Sequence, residues 1–250
     1  MLKFRIIARL DVRNNDLIRR VNCEGVRKVG PVAEFAERFV AGGVDELLFF
    51  DAVASLYGRG SMATVVDHVS RNVFVPNTVC GGIRSEDNVR ELLLNGADKV
   101  GLNTAVVEDP ELIYELATKF GSSTIALQLD VKRRDTWYEV MTRGARCNTG
   151  VDAIEWAHTA VNIGVGELVV TSIDNQGTSR GFDTDLLGQL VDTKVPVVMS
   201  GGFGEPSHAL ECARLGASGV AISNALHYNP HITNDTKMFL SQSGIPVRME

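Results

Sequence analysis

Short apolar runs of five to seven residues alternate with longer, mixed-polarity segments along the whole chain. A strand covered on both faces needs no in–out alternation, so such runs read as strands of a parallel sheet. RIIARL at 5–10, ELLFF at 46–50, VFVPNTV at 73–79 and DKVGL at 98–102 predict four of them. TIALQLD at 124–130, ELVVTS at 167–172, VPVVMS at 195–200 and SGVAIS at 218–223 predict four more. The segments between them, such as PVAEFAERFVAGG at 31–43 and SEDNVRELLLNGA at 85–97, have helical spacing. The second opens on Ser85 as N-cap, has acidic residues in its first turn and stops near Gly96. Eight strand–helix units in 250 residues predict a single α/β domain over 1–250, a (β/α)8 barrel. No linker rich in Pro, Gly or Ser divides it.

The chain repeats itself at half its length. LDVR at 10–13 returns as LDVK at 129–132, CGGIRSE at 80–86 as SGGFGEP at 200–206, and ADKVGLNTA at 97–105 as ASGVAISNA at 217–225. Three matches at nearly one offset predict two half-barrels, about 1–120 and 121–250, related by approximate twofold symmetry.

Composition narrows the function. With 44% hydrophobic and 22% charged residues the chain is an ordinary globular protein. Its net charge of −6 does not favour nucleic acid or an anionic membrane. An anionic ligand would need local help from backbone amides and a few basic residues. Cys23, Cys80, Cys147 and Cys212 are scattered, without metal-ligand spacing, and read as reduced thiols. The apolar N-terminal run is too short to cross a bilayer and is broken by Asp11 and Arg13, so a cytoplasmic protein is expected. No metal or other cofactor is implied.

A barrel of this kind places its chemistry at the C-terminal ends of its strands. Asp11 and Asp130 end strands one and five, opposite each other by the repeat, and suit acid/base work. The alternative is that either one caps a loop or pairs with a nearby base. Asp51 and Asp174, ending strands two and six, are weaker candidates. Gly81-Gly82 with Asn103-Thr104 would form one phosphate cup, and Gly201-Gly202 with Ser223-Asn224 the other, joined by Gly177-Thr178. Two cups across one mouth imply a small ligand with phosphate at both ends. The segment after strand one, basic at Arg13, Arg19, Arg20, Arg27 and Lys28, reads as a lid or as solvated surface. Arg5, Glu46, Lys99 and Glu167 open their strands at the other end of the barrel. They form either an inward ring of paired charges or separate surface ion pairs.

These motifs resemble the cyclase subunit of imidazole glycerol phosphate synthase, along essentially the whole chain. The resemblance is carried by RIIARLDV, DELLFFD, GGIRSEDNVRELLLNGADKVGLNTA, LDVKRR, NTGVDAIEWA, GELVVTSIDNQGT and SGGFGE. It implies a lyase-type enzyme of histidine biosynthesis that uses ammonia to convert PRFAR to imidazole glycerol phosphate and AICAR. Asp11 and Asp130 match the family's acid/base pair. The two cups match its phosphate grips, with Arg19 standing where a lysine is usual. Arg5, Glu46, Lys99 and Glu167 match a gate for ammonia from a docked glutaminase subunit, and Asp98 a position on that docking surface. The chain departs from the pattern at Ala8 and Arg9 (usually Pro-Cys), at Arg19, at Gln176 where an acidic residue is usual, at Gly30-Pro31, and at Phe203. Those departures suit two alternatives: a paralogue supplying ammonia to amidate a nucleotide sugar for surface polysaccharide, and a non-catalytic scaffold and conduit.

Overall fold

The computed structural model describes residues 3–52, 62–229 and 231–249. The remaining positions of the one-domain expectation lie outside the described residues. In chain order the strands are β1 (Arg5–Arg13), β2 (Asp16–Val21), β3 (Glu24–Pro31), β4 (Glu46–Asp51), β5 (Asn77–Cys80) and β6 (Lys99–Leu102). They continue as β7 (Ile125–Arg133), β8 (Tyr138–Thr142), β9 (Cys147–Asp152), β10 (Glu167–Ser172), β11 (Val197–Ser200) and β12 (Gly219–Ile222). The helices are α1 (Val32–Ala41), α2 (Ala63–Ser70), α3 (Glu86–Leu94), α4 (Thr104–Glu108), α5 (Glu111–Phe120), α6 (Ala153–Ile163), α7 (Thr184–Leu190), α8 (Pro206–Arg214), α9 (Asn224–Tyr228) and α10 (Ile232–Gln242).

Eight strands pair in parallel around a closed ring: β1, β4, β5, β6, β7, β10, β11, β12 and back to β1. Closure runs from Arg5 opposite Gly219 to Ala8 opposite Ile222. The apolar runs are buried on both faces because helices cover the outside while side chains fill the inside. Ile7, Leu48, Phe50, Cys80, Ala126, Val169, Val198 and Ala221 form the inner cluster. A larger cluster packs the outer strand faces against the helices. A buried ion pair ties α10 back to the ring: Lys237 Nζ lies 2.6 Å from Asp45 Oδ1, and Asp45 Oδ2 accepts the Ile6 amide at 2.8 Å.

Two departures from the sequence expectation have physical causes. Pairing of β5 begins at Asn77, because the Val73 amide bonds to the Val69 carbonyl at the end of α2 and Pro76 has no N–H to give. The segment after β1 is a β-hairpin, β2–β3. Asn14, at φ 57°, a conformation asparagine tolerates, turns β1 back into β2, where Arg13 pairs with Asp16, and Asn22 and Cys23 turn β2 into β3 at φ 50° and 60°. A second hairpin, β8–β9, follows β7. Both nine-residue strands thus overrun the rim at positions equivalent in the repeat. Among the described residues no helix is long and apolar enough to cross a membrane.

Candidate active site

Asp11 lies near the end of β1, where the strand leaves the ring, and is 1% exposed. The returning hairpin strand β2 brings Arg20 to it: Arg20 Nη2 donates to Asp11 Oδ1 at 3.0 Å. Arg9, two residues earlier on the same inward face, donates from Nε to the same oxygen at 3.0 Å. Its Nη1 reaches Thr171 on β10 at 2.7 Å and Ser200 on β11 at 3.0 Å. Both guanidinium groups lie over the Phe50 ring, at 4.8 and 5.1 Å from its centroid. Burial alone would push the Asp11 carboxyl upward. Arg20 and Arg9 outweigh it and hold Asp11 below the usual carboxylate range.

Asp130, on β7, repeats the position with different neighbours. Gln128 Nε2 donates to Asp130 Oδ1 at 2.8 Å, where Arg9 stands in the other half. A neutral amide offsets burial less than a cation does. Burial therefore dominates at Asp130 and raises its carboxyl, against the smaller opposing pull of Arg9 and Arg20. Two equivalent carboxylates are driven apart in proton affinity, as acid/base partners require.

The cups flank the pair unequally. The first is a cavity of about 540 Å³ that includes Gly82, Asn103, Thr104, Gln128 and Asp130, with Arg84 and Arg143 on its wall. The second is about 30 Å³ and includes Arg9, Gly177, Gly202, Phe203, Ser223 and Asn224. Gly202 takes φ 110°, and a Cβ there would strike the Gly181 carbonyl. Asn103 and Ser223 adopt nearly the same backbone, with ψ −85° and −87°, so the chain turns alike into α4 and α9.

Each hairpin is fastened over one cup. Asn103 Nδ2 donates to the Met141 carbonyl at 3.0 Å, and the Arg143 amide donates to Thr104 Oγ1 at 3.0 Å. On the other side Gln176 Oε1 accepts the Cys23 amide at 2.8 Å. Gln176 thus supplies an acceptor that anchors the β2–β3 turn, while Gly177 packs directly against the Arg20 carbonyl. Arg19 lines neither cavity; its guanidinium lies 5.7 Å from the Tyr228 ring centroid. Asp51 lines the first cup, and Asp174 Oδ2 accepts the Arg133 amide at 2.9 Å.

At the opposite end Arg5 joins Glu46 at 2.9 Å and Glu167 at 2.7 Å, and Lys99 joins Glu167 at 2.9 Å. The four charges from β1, β4, β6 and β10 form one linked chain of alternating sign. Asp98 Oδ2 accepts the Asn77 amide at 2.8 Å beside it. Among the described residues no cluster of His, Cys, Asp or Glu could hold a metal ion.

The roles of Arg9 and Arg20 escaped sequence reasoning. Arg20 was legible as part of a basic segment and Arg9 as a departure from the family pattern. Their convergence on Asp11 depends on the hairpin register and on partners more than 150 residues away.

A family model described as "Histidine biosynthesis protein" matches residues 5–231. Imidazole glycerol phosphate synthase subunit HisF of Pyrococcus furiosus is 39% identical over 251 residues, covering all of both chains. The protein of that name from Mycobacteroides abscessus is 42% identical over 252 residues, 98% of each chain. That from Legionella pneumophila is 45% identical over 207 residues, spanning 82% of this chain and 98% of its own. With this ring of strands and likeness along its full length, the chain belongs to the family of imidazole glycerol phosphate synthase subunit HisF.

Proposed function

We propose that the chain is the cyclase subunit of imidazole glycerol phosphate synthase, converting PRFAR and ammonia to imidazole glycerol phosphate and AICAR. The observation that carries the reading is the pair of buried carboxylates with opposed proton affinities, set between two cups. PRFAR has a phosphate at each end, and its ketose carbon would lie between Asp11 and Asp130. Asp130, which holds its proton more tightly, serves as the acid toward the carbonyl oxygen that ammonia displaces. Asp11, held ionised, accepts a proton and balances cationic charge as the ring closes. The hairpins exclude water from the ammonia-derived intermediate.

Ammonia would come from a glutaminase subunit docked on the face that bears Arg5, Glu46, Lys99 and Glu167. Phe74 and Leu94 support a partner there. They are 87% and 81% exposed, and each lies just ahead of a strand start at that end. Asp98 adds an exposed carboxylate to the same face.

A second reading, amidation of a nucleotide sugar by a paralogue with the same kind of partner, draws support from the arginines at Asp11 and the narrow second cup. Purified protein with PRFAR and saturating ammonium salt separates the two. Turnover is expected, with Asp11→Asn and Asp130→Asn each lowering it by about 10²-fold or more. Absence of turnover by the unaltered chain would sink the cyclase reading and leave the second.

A further inference from the structure

The repeat makes Arg9 and Gln128 counterparts, each two residues ahead of its aspartate and each donating to that aspartate's Oδ1. Each also lines a cup, Gln128 the first and Arg9 the second. At this position the two halves therefore differ by a buried cation. Arg9 is 2% exposed and is the one charged side chain among the described residues lining the second cup.

Its guanidinium is fixed on every side but one. Nε is engaged by Asp11, Nη1 by Thr171 and Ser200, and its face by Phe50. Nη2 is buried without a partner. A buried charged donor left unpaired is costly and calls for an explanation. Arg9 and Arg20 both pair with one carboxylate oxygen, Asp11 Oδ1.

We propose that Arg9 is the grip of the second cup: its Nη2 binds the terminal phosphate of the substrate, and so fixes which end of the ligand enters that cup. The size of the cavities agrees. About 30 Å³ admits a compact group of few heavy atoms, whereas the first cup, at about 540 Å³, has room for the larger end. Arg84 and Arg143 of the first cup stand on its outer wall; Arg9 is held immobile in the floor of the second. This assignment rests on the two-cup reading above, but not on the identity of the substrate.

Inorganic phosphate titrated into the full chain tests it, by calorimetry and by the ¹⁵N signals of arginine side chains. The Arg9 signals are expected to shift as phosphate saturates. In Arg9→Gln the affinity of that site should fall about ten- to a hundred-fold, the scale of one charge-assisted hydrogen bond. Arg9→Lys should recover part of the loss, since charge returns without the planar fork. Unmoved Arg9 signals at saturation overturn the proposal, as does unchanged affinity in a folded Arg9→Gln. Should Arg9→Gln not fold, the signals of the unaltered chain decide. Turnover of PRFAR is read separately: phosphate binding through Arg9 without turnover overturns the proposed function and leaves the role of Arg9 standing.

Discussion

Arg20 shows how one residue resets the chemistry of another. Burial would make Asp11 a weak acid, and the cations beside it reverse that. Arg20→Gln leaves Arg9 alone against burial, so the Asp11 carboxyl moves upward. A base that must be ionised then fails at higher pH. We expect the acid limb of the kcat/KM profile, measured at fixed free ammonia, to shift upward in Arg20→Gln; an unmoved limb would show that Asp11 is not the base. Asp11 and Asp130 were legible in the sequence because duplication places them at equivalent strand ends. Their inequality was not, because it depends on Arg20, delivered by a hairpin, and on Arg9, held by Thr171 and Ser200. Gln176 was legible only as a missing carboxylate; its amide oxygen in fact secures the turn at Cys23.

At the scale of elements, apolar runs located the barrel strands well, since burial on both faces leaves a plain signal. The first hairpin was harder to read. Its strands are polar and basic, and only Leu17, Ile18 and Arg20 of β2 are buried. The second hairpin lays Tyr138, Glu139, Val140 and Met141 antiparallel along the end of β7. The packing of α9 on α1 carries a pH dependence. His227 is stacked on Phe39 with ring centroids 6.1 Å apart, edge-on to Phe35, and neither ring nitrogen has a partner. Burial lowers its pKa from 6.5 to about 4. The unfolded chain therefore takes up a proton between those values that the folded chain refuses, and stability falls as pH drops through that window. From pH 7 to pH 5 the loss should be about 2 kcal/mol. Urea unfolding of His227→Phe should lack this part of the loss; an identical slope in both proteins would refute the assignment.

For the whole molecule, the two ends of the barrel divide the labour. One end bears the carboxylates and cups. The other bears the linked charges Glu46, Arg5, Glu167 and Lys99, with exposed Phe74 and Leu94 beside them. If that end receives ammonia from a partner, disturbing it should leave chemistry with free ammonia intact. Lys99→Ala, assayed with a glutaminase subunit, should lose glutamine-dependent activity several-fold more than ammonia-dependent activity. Equal losses would argue against a conduit. The strand ends that build each face were legible from chain order alone, because a parallel barrel sends every strand the same way. Which charges would meet was not, since Arg5 and Glu167 are distant in sequence and become neighbours only across the closed ring.

The guanidinium that Arg9 shares between Asp11 and the second cup makes those two places thermodynamically reciprocal. An anion seated on Nη2 screens the charge that keeps Asp11 ionised, so the carboxylate's hunger for a proton rises when the cup is full. Conversely, a proton on Asp11 frees Arg9 to hold its anion harder. A ligand that arrives by its phosphate end therefore sharpens the base that will act on its other atoms, and an empty cup leaves that base quiet.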